Sequence, residues 1–117
     1  MNRFLLIDDD EFEPIVVTRI LANKYGYGYK LDHAKSLKKA KKLMNKHNYS
    51  LVLLDDQLSD TIDARTSVIA VRALLNDTPL IIISHDIEKE YLRDITVTQG
   101  VPVVHKNDLP DFVYKAA

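Results

Sequence analysis

The sequence predicts an α/β protein with a doubly wound, five-stranded parallel sheet and helices on both faces. Two observations predict it. Short strand-like runs at 4–7, 29–33, 51–54, 80–83 and 101–105 alternate with longer segments of helical period. Most of those runs are continuously apolar rather than alternating, the pattern of strands buried on both faces of a parallel sheet. With 117 residues the chain has room for one domain, expected over 1–117.

Each element has its own signals. The first run, 4–7, ends in the acidic cluster Asp8, Asp9, Asp10 and Glu11. Pro14 suits the first turn of a helix, and the carboxylates before it suit a helix N-terminus. Ile15, Val16, Arg19, Ile20 and Ala22 continue that helix to about Lys24, where Gly26 and Gly28 break it. Residues 29–33 alternate as a strand. Ser36 is placed to cap the next helix, with Leu37, Ala40, Leu43, Met44 and His47 on one face and the lysines mostly elsewhere. Asn48 marks its stop. The strand at 51–54 ends in Asp55 and Asp56, and a polar loop covers 57–63. A helix over 64–75, a turn at 76–79 and the strand 80–83 follow, ending at Ser84, His85 and Asp86. A helix over about 87–98 stops at Gly100. The strand 101–105 ends at Lys106, and Asp108 is placed to cap a short, truncated last helix with Pro110 in its first turn.

Composition removes several classes of function. Hydrophobic residues make up 46%, enough for a core, and charged residues 28%, ordinary for a globular domain. Net charge is −1, so nothing in the balance favours nucleic acid or an anionic membrane. The absence of cysteine excludes disulfides, thiolate metal sites and cysteine nucleophiles. No apolar run approaches the roughly 20 residues that span a bilayer. The N-terminus enters a strand directly, without the core and cleavage site of a signal peptide, so the protein is expected in the cytoplasm.

In open parallel sheets, ligands bind at the carboxyl ends of the strands, near the point where strand order reverses. Four of the five strand ends here carry chemically capable side chains: Asp8 and Asp9, then Asp55, Ser84 and Lys106. Clustered carboxylates repel one another, so at least one is expected to have a raised pKa unless a cation is present. Oxygen-only ligands suit Mg2+. Aspartate is an established nucleophile in phosphoryl transfer, forming an acyl phosphate. Catalysis there is mainly positioning and charge stabilisation, which Mg2+, the Lys106 ammonium and the Ser84 hydroxyl can supply.

The order acidic pair, single Asp, hydroxyl, Lys resembles the response-regulator receiver domain of two-component systems (CheY-like), over nearly the whole chain. The resemblance implies a flavodoxin-like sheet of order 2-1-3-4-5. It implies that Asp55 takes a phosphoryl group from a sensor histidine kinase or phosphotransfer protein. Asp8, Asp9, Asp55 and the backbone carbonyl of Gln57 would then hold Mg2+, Ser84 would be the hydroxyl switch residue and Lys106 the family's lysine. Such a domain is not a turnover enzyme, although it takes part in its own phosphoryl transfer and dephosphorylation. Its output goes to an effector protein or output domain, through a two-state equilibrium around the fourth helix, fifth strand and fifth helix. No membrane or direct nucleic-acid contact is implied.

The sequence departs from that family in places. Ser59 stands where Pro is usual, Asp63 and Ala64 where a Gly opens the third helix, and His85 where a small residue follows the hydroxyl. Asn107 replaces the proline after the lysine, and is expected after a trans peptide, since a non-proline cis bond costs roughly 3 kcal/mol. Val103 holds the aromatic switch position. These changes leave the phosphorylation chemistry intact and bear on how it is coupled to output; His85 narrows access to Asp55.

The same residues have other readings. Acidic strand ends often only cap the next helix, and Asp56 reads as a surface residue rather than a metal ligand. The lysines of the second helix read as a solvated face, since no base-stacking aromatics interleave. The four histidines lack metal-ligand spacing. Gly26-Tyr27-Gly28 ends a helix instead of opening one, so it is no dinucleotide fingerprint. The tyrosines Tyr25, Tyr27 and Tyr29 read as packing residues. Two alternative functions remain: a receiver-like interaction module without phosphate control, and a small haloacid-dehalogenase-type phosphatase with Asp8 as nucleophile. The phosphatase reading lacks the acidic pair expected late in that family's chain.

Overall fold

In the computed structural model, which describes residues 2–115, the chain runs β1 (Asn2–Ile7), α1 (Glu13–Tyr25), β2 (Tyr29–Ala34), α2 (Leu37–Lys46), β3 (Leu51–Asp55), α3 (Ala64–Leu74), β4 (Leu80–Ser84), α4 (Glu90–Gln99), β5 (Val103–His105), a 3-10 turn (Lys106–Asp108) and α5 (Leu109–Lys115). Met1, Ala116 and Ala117, the ends of the domain expected over 1–117, lie outside the described residues. The strands form one parallel sheet in the order β2-β1-β3-β4-β5. The flavodoxin-like order implied by the resemblance is therefore present. Among the described residues no helix is long and apolar enough to cross a membrane.

Alternation along each strand divides the core in two. Leu5, Ile7, Val52, Leu54 and Ile82 face α2, α3 and α4, while Phe4, Leu6, Leu53, Ile81 and Ile83 face α1 and α5. Each such side chain, fully buried, contributes about 1.5–3 kcal/mol relative to exposure. The central strands β1, β3 and β4 are buried on both faces, which is why their sequences run apolar without a break.

The starts of α4 and β5 and one cap differ from the sequence expectation. Helix α4 begins at Glu90, not near residue 87, because turns hold the segment before it: the Ser84 hydroxyl accepts from Asp86 N, and the Asp86 carboxylate from Glu88 N. Strand β5 begins at Val103; Pro102 can only accept, which it does from Ile82 N. Among the described residues the Asp108 side chain makes no capping hydrogen bond. The residue lies inside the 3-10 turn, which His105 caps by accepting from Asn107 N. Among the described residues no peptide bond is cis, so Asn107 follows a trans peptide as expected.

Candidate functional site

Strand register brings the predicted residues level. Ile7 pairs with Leu54, so Asp8 stands beside Asp55. Asp55 pairs with Ile83 and Ser84 with His105, which sets Ser84 and Lys106 on the same rim. The crevice between β1 and β3, where strand order reverses, therefore carries the acids. All six predicted site residues, Asp8, Asp9, Asp55, Gln57, Ser84 and Lys106, line one cleft of about 480 Å³.

The local chain explains how each side chain is held. Asp8 N donates to Ala34 O, continuing the β1–β2 ladder, and Asp10 N donates to Asp8 Oδ1, turning the chain toward α1. The ring of His33 donates from Nε2 to the Asp8 carbonyl at 2.7 Å. Asp8 is fully buried, Asp55 nearly so, and Asp9 is exposed at the mouth. The Lys106 ammonium reaches across the sheet to Asp8 Oδ2 at 3.0 Å and Asp55 Oδ1 at 3.2 Å.

The electrostatics follow from that crowding. Burial, then the neighbouring Asp8 charge, push the Asp55 carboxyl up to about 7, against the opposing pull of Lys106. The raised carboxylate anticipated from the clustering is thus Asp55. Burial works against the Lys106 ammonium, but Asp55 and Asp8 outweigh it and raise its pKa. One oxygen each from Asp8, Asp9 and Asp55 lie within 4.8 Å of one another. An anionic, oxygen-only donor set of that size suits a hard divalent cation of the Mg2+ type.

Ser84 is at the rim, but its hydroxyl is engaged locally, donating to Asp86 O at 3.0 Å and accepting from Asp86 N at 3.1 Å. Gln57 is exposed, its amide near Tyr91 and Asp56. His85 is exposed at the cleft and packs edge-on against His105, ring centroids 6.2 Å apart.

Three acids do more than their sequence suggests. Glu13, in the first turn of α1, turns inward; its Oε2 lies 3.8 Å from Lys106 Nζ, and burial raises its pKa. Asp60, read as loop, accepts from both Leu37 N and Lys38 N and so caps α2 alongside Ser36. Asp56 is not a surface residue: it is only 1% exposed. Lys89 Nζ donates to its Oδ2 at 2.8 Å, the Tyr91 hydroxyl donates to it at 2.6 Å, and Ala64 N donates to Oδ1. Strand pairing alone hints at the burial, since Asp56 follows a strand packed on both sides. Its partners lie 33 and 35 residues away, where no local pattern points to them. Asp63 caps α3 by accepting from Arg65 N, and Ala64 is wholly buried beneath Asp56, so a small residue persists at the helix opening.

No protein-family model matches the sequence, and a comparison with curated proteins finds no match. Solved structures match over nearly the full chain. A CheY-like response regulator receiver domain protein from Methanospirillum hungatei JF-1 is similar with TM-score 0.81 at 18% identity, covering 98% of this chain and 92% of that one. A two-component response regulator from Clostridium difficile is similar with TM-score 0.81 at 21% identity, over 97% of this chain and 90% of that one. A response regulator from Burkholderia pseudomallei, solved with a phosphorylated aspartic acid, a calcium ion and citrate, has TM-score 0.77 at 17% identity, over 99% of this chain and 66% of that one. Identities this low speak for the fold: the structural neighbours are receiver domains, and the architecture of this chain is theirs.

Proposed function

We propose that this chain is a single receiver domain over 1–117 that accepts a phosphoryl group on Asp55. One observation carries the reading: three carboxylates from β1 and β3 converge at a strand-order reversal, with Lys106 bridging Asp8 and Asp55.

In the proposed reaction an Asp55 carboxylate oxygen attacks the phosphorus of a phosphohistidine. The new O–P bond forms as the P–N bond breaks, and the leaving imidazole nitrogen keeps the electron pair and gains a proton from water. Mg2+ held by Asp8, Asp9, Asp55 and the Gln57 carbonyl would neutralise charge on the phosphoryl oxygens. Lys106 is placed to donate to the same oxygens, and the Ser84 hydroxyl to join them after leaving Asp86. Asp55 must be ionised to attack, and its raised pKa makes a nearby cation part of the requirement. The phosphorylated aspartate in the Burkholderia neighbour supports this chemistry for the fold.

The proposed donors are a sensor histidine kinase or phosphotransfer protein, and the proposed recipient of the signal an effector protein or output domain. The proposed setting is the cytoplasm. The chain's part is regulatory, limited to its own phosphorylation and dephosphorylation. The phosphatase alternative fares worse, because both Asp8 oxygens are engaged, by Asp10 N and Lys106, and Asp8 is wholly buried.

Intact mass after incubation with Mg2+ and acetyl phosphate tests the reading. One added phosphoryl group is expected in wild type and none in Asp55→Ala. An adduct that persists in Asp55→Ala and vanishes in Asp8→Ala would favour the phosphatase. No adduct in any sample would favour an interaction module without phosphate control.

A further inference from the structure

Asp56 is an acid with almost no access to water, placed directly after the proposed phosphoacceptor. Its charge is paired directly with Lys89, at 2.8 Å. Lys89 immediately precedes α4, and Tyr91, in the first turn of α4, donates to the same carboxylate. Arg65 of α3 lies over the Tyr91 ring, 4.9 Å from its centroid. The first turn of α4 is therefore tied to the end of β3 through one buried carboxylate. Removing the cation from a buried pair is costly, because the remaining charge stays desolvated.

Lys89 also lines the cleft that holds Asp55, and its side chain is 29% exposed, toward that opening. A lysine is a point charge on a flexible stem, able to turn between two anions within reach. A phosphoryl group on Asp55 would bring up to two negative charges and strong acceptor oxygens into the same cleft.

We propose that Lys89 is a charge-exchange residue: on phosphorylation it leaves Asp56 for the phosphoryl oxygens, and the loss of its pairing with Asp56 releases the first turn of α4. This rests on Asp55 being the phosphoacceptor. It gives the chain a coupling route of its own where Val103 takes the place of the family's aromatic switch residue. Asp56 and Tyr91 act as positioning residues, holding α4 until the cation departs.

Hydrogen–deuterium exchange over 87–99, with intact mass on the same samples, tests it in wild type, Asp56→Asn and Lys89→Arg, with and without Mg2+ and acetyl phosphate. In wild type one phosphoryl group is expected, with exchange in the first turn of α4 accelerated by about twofold or more. Lys89→Arg, which keeps the cation, should behave the same way. Asp56→Asn keeps one acceptor oxygen, in the place of Oδ1, within reach of both Tyr91 and Ala64 N, but has no charge for Lys89 to leave; it should still gain the phosphoryl group, with α4 exchange nearly the same in both states. A purely structural role for Asp56 would raise exchange in both states and preserve the acceleration, and that result overturns the proposal. So does an Asp56→Asn protein that takes no phosphoryl group. Should Asp56→Asn fail to fold, Tyr91→Phe replaces it, with less than about half the wild-type acceleration expected and an undiminished one overturning the proposal. Absence of the adduct in wild type overturns the Asp55 reading and this coupling together, whereas an adduct with unaltered coupling in Asp56→Asn overturns the coupling alone.

Discussion

Asp55 sits where burial and a neighbouring Asp8 charge both oppose its ionisation, with Lys106 opposing them in turn. Its raised pKa means the folded, metal-free protein binds that proton more tightly than the unfolded chain does. The stabilisation this gives is complete below the ordinary carboxylate range and is lost as pH rises through about 7. Asp55→Asn replaces the titrating group with a neutral one of the same shape. In metal-free buffer the variant should therefore gain on wild type between pH 5 and pH 8, by on the order of 2 kcal/mol. Urea titrations of both proteins at the two pH values measure it, and a gap that does not change with pH would show that some other group carries the proton.

At the scale of elements, strand ends and helix openings are unequally legible in the sequence, for physical reasons. The apolar runs of β1, β3 and β4 identify themselves because both faces are buried, and their last residues then locate Asp8, Asp55 and Ser84. The start of α4 did not, because side-chain hydrogen bonds from Ser84 and Asp86 compete locally with the helix. Ser36 was legible as a cap, since it accepts from Lys39 N three residues on. Asp60 was not, since it caps the same helix from a loop 22 and 23 residues away. That remote cap ties the loop after β3 to α2 by two backbone hydrogen bonds to a charged acceptor. Asp60→Ala should thus cost at least as much stability as Ser36→Ala, about 1 kcal/mol, and should raise proteolytic cleavage in residues 57–63, which Ser36→Ala leaves alone. Slight desolvation works against the Asp60 carboxylate, but the Leu37 and Lys38 backbone donors together hold it below its usual pKa. Its contribution should be present at neutral pH and fade as pH falls through that lowered value. Limited proteolysis and thermal melts of the two variants decide whether the cap acts across elements or only on α2.

For the whole molecule, the site exists only when the sheet does. Asp8 and Lys106 are 98 residues apart in sequence and 3.0 Å apart in the fold, and Asp55 comes from a third element between them. The unfolded chain holds no such cluster, so a cation taken by Asp8, Asp9 and Asp55 must stabilise the fold by mass action. At ten times its dissociation constant the gain is about 1.4 kcal/mol, on the order of 5 °C in melting temperature for a domain of this size. Binding must also displace the proton that Asp55 holds with a pKa of about 7, so affinity should weaken below that pH. The expected result is a Mg2+-dependent rise in melting temperature that is larger at pH 8 than at pH 6, and smaller in both Asp55→Ala and Asp9→Ala. Both substitutions are needed: Asp55→Ala removes the coupled proton together with a proposed ligand, while Asp9→Ala removes an exposed proposed ligand and leaves the Lys106 contacts with Asp8 and Asp55 in place. A rise that is the same in all three proteins, or the same at both pH values, would place any bound Mg2+ somewhere other than this cluster.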